Sequence, residues 1–299
     1  MGLIQIKFKN LRSIILNPLK VSGRSKVVIM FKSKAIELYN DGHHKCYAFN
    51  NLVTGEAVQA NQFLIIDGDK TALLDPGGDL TYAKLKLEIE KLSPTHQLNY
   101  IIASHQDPDI IASIGRWMMQ TPAKVICSKL WERFLPHFAS SFYNQVNETE
   151  LSKRIIGLDD EGGAIRLGDN HLYAVPAHFL HSVGNFQVYD PVSKILFTGD
   201  MGASIVDDDD FSGVKDFAEH IKYMKGFHQR YMVANKACRL WANMVADLDV
   251  EMIVPQHGAP FKGVLSVRQF LDWISKLECG LDLFTQRDYS VRMNKREVA

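Results

Sequence analysis

The chain has 299 residues, 46% of them hydrophobic and 23% charged, and its 34 basic and 34 acidic side chains cancel to a formal charge of zero. That is ordinary globular composition, enough for one large domain or two small ones. Balanced charge argues against a nucleic-acid partner for the chain as a whole, and no apolar run approaches the roughly 18 residues of a membrane helix.

The four cysteines (Cys46, Cys127, Cys238, Cys279) are far apart and form no CxxC. They read as thiols in a reducing cytosol rather than disulfides, so a cytoplasmic location is expected.

Residues 1–36 carry eight Lys or Arg and no acid. They lack the compact apolar core and small-residue cleavage site of a signal peptide. They read as a basic N-terminal extension, either loosely held or a surface anchor for acidic lipid or a signalling partner. Residues 37–299 then read as a single domain, because no Pro/Gly/Ser linker interrupts them.

Strand signals begin at 45–49 and continue at 61–67 and 71–75, the latter two joined by the hairpin turn Gly68-Asp69. Tyr82, Leu85, Ile89 and Leu92 have helical spacing and stop before Pro94. A strand at 100–103, a helix over 109–119 and a strand at 124–127 form a strand–helix–strand unit, which implies a partly parallel sheet. Residues 129–150 read as a helix or lid. Hairpins at 165–175 and 186–197 follow, then an acidic run at 207–210 that reads as a solvated turn. Apolar residues stepping by three and four predict one long amphipathic helix over 217–248. A short strand at 252–254 and a final helix over 267–281 complete the chain. The expected fold class is α/β, with two sheets sandwiched between helical layers.

The chemistry concentrates in Ser104-His105-Gln106-Asp107-Pro108-Asp109, one imidazole and two carboxylates in five residues after an apolar strand. Adjacent carboxylates repel and raise each other's pKa, whereas a metal favours the ionised form. His181, Asp200 and His257 repeat the pattern of a potential ligand near an apolar run. Singly, each has an ordinary alternative: a loop imidazole, a helix cap, a turn residue. Together, six ligand-type residues with one shared carboxylate suit two ions about 3.5–4 Å apart.

The order His105-x-Asp107-x-Asp109, then His181, then Gly199-Asp200, then His257-Gly258 resembles the metallo-β-lactamase superfamily, as does Leu74-Asp75-Pro76-Gly77. The similarity covers roughly residues 45–285 and implies a metallo-β-lactamase-like αββα sandwich with two mixed sheets. Most hydrolases of that superfamily carry His where Asp107 stands. A carboxylate there resembles the flavodiiron branch, in which it accompanies iron, and harder oxygen ligands do move a site away from zinc-like preference.

Two departures refine the match. No flavodoxin-like domain follows, so a built-in FMN is not expected, and the second acid is followed by Ile110 where flavodiiron proteins have His. This combination resembles the stand-alone oxygen-binding di-iron proteins. The resemblance implies that His105, Asp107 and His181 hold one iron, Asp109 and His257 a second, and that Asp200 bridges them. An open or water-filled position is then expected where Ile110 stands. Asp75 is expected to support a ligand, and His178 either to do the same or to reach the second iron.

The functional expectation is a di-iron protein that binds O2 or NO as a sensor or scavenger, or reduces them with an external electron donor. A homodimer is compatible with it. The alternative is a zinc-dependent hydrolase of an ester, lactone or phosphodiester, in which a metal-bound hydroxide attacks. A third reading is a signalling module that uses the site structurally.

Overall fold

A computed structural model describes residues 35–55, 57–139, 152–206 and 211–291. Most of the basic segment 1–36, the acidic run 207–210 and the distal half of 129–150 lie outside the described residues.

The first sheet holds strands β1 (Ile36–Asn40), β2 (His44–Phe49), β3 (Gln62–Asp67), β4 (Lys70–Leu74), β5 (Tyr100–Ile102), β6 (Lys124–Ser128) and β7 (Ile155–Leu158), side by side in that order. β1 to β4 pair antiparallel, and β4 to β7 pair parallel. The second sheet holds β8 (Gly163–Leu167), β9 (Asn170–Pro176), β10 (Phe186–Asp190), β11 (Ile195–Phe197), β12 (Met252–Val254) and β13 (Phe261–Lys262). Only its β11/β12 pair is parallel. Both sheets are therefore mixed.

In central strands such as β3, β4 and β10 the side chains alternate between two dry layers, so these strands are buried almost throughout, whereas β1, β7, β8 and β9 keep exposed positions. Leu64, Leu73 and Ile101 face helices α1 (Tyr82–Glu90) and α3 (Ile114–Gln120), with Leu85, Ile89, Ile114 and Trp117. Their neighbours Phe63, Ile65, Ala72, Leu74 and Ile102 face the second sheet, meeting Phe186, Val188, Phe197 and Val254. The far side of the second sheet buries Leu196 and Ile253 against α5 (Phe217–Tyr231), α6 (Asn235–Ala246) and α7 (Val264–Lys276). Three apolar layers separate four structural ones, which is an αββα sandwich. Each large side chain sealed in this way contributes about 1.5–3 kcal/mol.

Two predicted helices are broken in two, and in each case an inserted chain segment takes over the backbone hydrogen bonds. The 109–119 helix is split into α2 (Pro108–Ile111) and α3. The Ser113 N–H donates to the Gly77 carbonyl (3.1 Å) and the Gly77 N–H donates to the Ile110 carbonyl (2.7 Å), so the 76–78 loop wedges into the ladder. The 217–248 helix is split at 232–234 between α5 and α6. There the Val233 N–H donates to Phe179 (3.3 Å) and its carbonyl accepts from Leu281 (2.8 Å). Helical periodicity survives such a break, so the pattern alone reads as one helix. The 129–150 segment begins with the short helix α4 (Lys129–Glu132). β1, β7 and β13 were absent from the expected strands; β13 has only two residues.

Candidate metal centre

The parallel strands carry their C-terminal ends to one edge of the sandwich, and loops leave from there after β4, β5, β11 and β12. This edge is where layered α/β folds collect ligand side chains. Asp75 follows β4, His105 to Asp109 follow β5, Asp200 follows β11 and His257 follows β12. His181 arrives on the β9–β10 connection, next to a cis Leu180–His181 peptide.

Asp107 sits at the N-cap of α2 in extended conformation, with Pro108 at the first helical position, but its side chain makes no capping bond. The carboxylate turns instead to His181, with Oδ2 3.4 Å from Nε2. Asp200 does not cap a helix either. Its Oδ2 lies 2.8 Å from His181 Nε2 and 3.9 Å from His105 Nε2. Its Oδ1 lies 3.4 Å from His257 Nε2, which is itself 3.6 Å from Asp109 Oδ2. The two oxygens of one buried carboxylate thus address two different ligand groups. His105, Asp107 and His181 surround one, and Asp109 and His257 surround the other. Four of these residues, His105, Asp107, His181 and Asp200, offer ligand atoms within 4.8 Å of one another.

The supporting contacts orient the rings. Ser104 Oγ meets His105 Nδ1 at 2.9 Å, and Gln256 Nε2 donates to the same hydroxyl at 3.1 Å. Asp75 Oδ1 accepts the Ser104 N–H at 2.8 Å, so the expected supporting role of Asp75 is exerted through Ser104. His257 Nδ1 contacts the Gln59 carbonyl at 2.6 Å. All these contacts leave the Nε2 atoms of His105 and His257 aimed at the carboxylates. Phe227 and Tyr231 stack on each other beside the His181 ring. Sequence reasoning missed Ser104, Gln256, Gln59 and Tyr231, because none has a pattern that marks it as a supporting residue.

The electrostatics describe a site that wants positive charge. Burial opposes a proton on His181, yet hydrogen bonds to Asp107 and Asp200 outweigh it and push its pKa up to about 10. Burial likewise opposes charge on His257, and Asp200 overrides it, to about 9. Burial would raise Asp200, but His181 and His257 hold it well below the usual carboxylate range. His181 also holds Asp107 low, against burial. The protons fill a role that a cation bound through the same lone pairs takes over.

His105 Nε2 and Asp200 Oδ1 are among the buried atoms of the described residues that complete no hydrogen bond. Metal coordination would satisfy both atoms. By spacing, His105, Asp107, His181 and Asp200 fit a metal ion, and Asp109 and His257 face the other oxygen of Asp200.

One expectation is corrected. His178 neither supports a ligand nor reaches the second set: its Nε2 meets the Asp160 carbonyl at 2.7 Å on an exposed turn and its ring packs edge-on against Phe186. Ile110 is fully buried in the layer beneath α1 and α3.

The sequence matches the ODP family of beta-lactamases over residues 58–258, a span that contains all six candidate ligands. The chain belongs to the ODP family. Two solved structures of this family's chemotaxis sensor are similar to it. One, described as its peroxy diiron species, is 36% identical, with a TM-score of 0.74, and covers 86% of this chain and 100% of the sensor. The other, the apo state from T. denticola, is 35% identical, with a TM-score of 0.73 and the same coverage. An uncharacterized protein of Methanocaldococcus jannaschii is 26% identical over 220 residues, 71% of this chain and 52% of the relative. The chain spans about half the length, or less, of the curated relatives it matches. A flavo di-iron protein from Thermotoga maritima shares the fold at 17% identity, with a TM-score of 0.64 over 81% of this chain and 61% of that one. The ODP family and the flavodiiron cores thus share one metallo-β-lactamase-like fold. Among the described residues no helix is long and apolar enough to cross a membrane.

Proposed function

We propose that this chain is a di-iron protein that binds dioxygen and serves as a sensor or scavenger. The observation that carries the reading is the division of Asp200: each oxygen addresses its own His/carboxylate set. His105, Asp107 and His181 would hold one iron, Asp109 and His257 the other, with Asp200 shared. Membership of a family whose sensor has been caught as a peroxy diiron species supports iron and oxygen over zinc and hydrolysis.

Two ferrous ions held by these residues would supply the electrons for binding dioxygen. The residues contribute the rest. Three carboxylates neutralise four positive charges incompletely, leaving the site receptive to an anionic ligand. Asp107 and Asp109 remain about one-third exposed, so a small molecule reaches the centre from their side. Asp75, Ser104 and Gln256 fix the His105 ring, and Gln59 fixes His257, so ligation does not require reorganisation. Phe227 and Tyr231 shield the His181 side. Reduction of O2 or NO would require electrons from an external donor.

Anaerobic purification from iron-supplemented cells, metal counting and visible spectra during O2 admission test the reading. About two irons per chain and a new absorption band on O2 exposure are expected. Two zincs with no response to O2, and turnover of an ester or phosphodiester panel, would replace this reading with the hydrolase.

A further inference from the structure

In the helical layer over the second sheet, two buried thiols face each other. Cys238 lies in the first turns of α6, and Cys279 lies 41 residues later, just after α7. Their sulfurs are 3.8 Å apart and both side chains are fully buried. Cys46 and Cys127 belong to other layers. We propose that Cys238 and Cys279 are an oxidation site, closing to an intramolecular disulfide when the protein meets hydrogen peroxide.

The chemistry follows from the pair. The two sulfurs share an S–H···S contact in which either can donate, and that contact lowers the Cys279 thiol against burial and the nearby Asp282. Cys279, on the segment whose far end is exposed at Leu281 and Leu283, is the sulfur that peroxide reaches first, and it attacks once deprotonated. Its sulfur bonds to one peroxide oxygen as the O–O bond breaks, and the departing hydroxide takes a proton and leaves as water. Cys279 becomes a sulfenic acid. The Cys238 sulfur then attacks the Cys279 sulfur, the S–O bond breaks, and the hydroxyl leaves with the Cys238 proton as a second water. Two thiols lose two electrons, and one peroxide gains them. The sulfurs need to close only from 3.8 Å to about 2.05 Å.

The bond would clamp a strap that already leans on the break between α5 and α6. Gly280 pairs with Ala234, its N–H donates to Gln229 (2.9 Å), and the Leu281 N–H donates to Val233 (2.8 Å). Gly280 has a φ of +50°, and a Cβ there would collide with the Met232 and Val233 carbonyls, so the approach requires glycine. Val233 in turn donates to Phe179, two residues before His181. Beyond the strap, Leu281 and Leu283 are exposed, so lifting this short segment gives peroxide a route to the buried pair. Once formed, the disulfide ties α6, the strap and the helix break into one unit.

The test treats the full-length protein with a small excess of hydrogen peroxide, denatures it in alkylating reagent and maps the peptides without reduction. The thiol count is expected to fall from four to two, with one thiol-reversible crosslink joining the Cys238 and Cys279 peptides. Cys279→Ser and Cys238→Ser should each abolish the crosslink. Hydrogen exchange on the oxidised wild type reads the same event without a variant, and exchange at 229–235 and 279–284 should slow. Four surviving thiols, a crosslink using Cys46 or Cys127, or over-oxidation of Cys279 without a crosslink would each overturn the assignment. Unchanged exchange after crosslinking would overturn the clamp.

Discussion

The two ends of the sandwich each bury histidine among carboxylates, and they solve the electrostatic problem in opposite ways. At the end away from the candidate metal centre, His44 Nδ1 meets Asp67 Oδ1 and its Nε2 meets Asp190 Oδ2, both at 2.9 Å. Asp67 also accepts from the Asp169 and Asn170 N–H groups and the Asn170 amide. Asp190 accepts from Cys46 and Ser193. Neither the His44 nitrogens nor these carboxylates are left without a hydrogen bond. At the metal end the contacts are longer, mostly 3.4–3.9 Å, and His105 Nε2 and Asp200 Oδ1 are left over. A closed ion cluster that joins the two sheets is a clasp; an open one with orphaned atoms is a site. His44, Cys46 and Asp190 also have ligand spacing, so geometry alone would not separate the two ends, whereas hydrogen-bond completeness does.

The largest expected effect is at the shared carboxylate. Asp200→Asn keeps the shape but removes the charge that both ligand sets use. Metal per chain, measured by elemental analysis after anaerobic loading, should drop from about two to below one, while the circular dichroism spectrum stays that of the wild type. Retention of two metals would mean that Asp200 is not shared.

Next comes the clasp. His44→Ala leaves two buried carboxylates facing each other across the sheets, and removing one partner of a buried ion cluster costs about 3–5 kcal/mol. Denaturant melts should show that loss, and the surviving folded protein should still load the same number of metals. A variant that loses one metal equivalent instead would show that the far cluster is a third site.

How much of this was legible in the sequence differs between the two ends. The candidate ligands of the metal end announce themselves because His105, Asp107 and Asp109 fall within five residues and each later candidate sits near an apolar run; the order of types carries the resemblance. The four layers were legible too, from alternating strands and periodic helices. The clasp was not, since His44, Asp67 and Asp190 are single polar residues in separate hairpins and meet only through packing of the two sheets. The helix breaks at Ser113 and Val233 were hidden for the same reason: the carbonyls that replace the helical ladder come from Gly77 and Phe179, far away in sequence.

A smaller effect is expected behind the ligands. Ser104→Ala frees the His105 ring and removes the hydroxyl that Gln256 donates to, while the backbone N–H at 104 still donates to Asp75. Loss of such a support costs about 10–100-fold in metal affinity, or about 1.4–2.8 kcal/mol. Chelator competition should show this for one of the two metals, the one on the His105 side, and an equal loss at both would mean that the ligand sets are not separable.

The smallest effect is the pH dependence of the clasp, and it tests whether His44 is held as a cation. Burial opposes charge on His44, but Asp190 and then Asp67 outweigh it and raise its pKa above the ordinary value. Burial opposes charge on both carboxylates as well, and His44 leads the groups that hold them below theirs. A raised histidine contributes stability that is fully present below the unfolded pKa of about 6.5 and is lost as pH rises through the folded value. Lowered carboxylates contribute stability that is present above about 3.9 and is lost as pH falls through their folded values. The stability gap between wild type and His44→Ala should therefore be widest between roughly pH 4 and 6.5 and narrow on the alkaline side. A gap that instead widens above pH 7 would mean that His44 is buried neutral, and that the difference between the two ends is one of packing rather than charge.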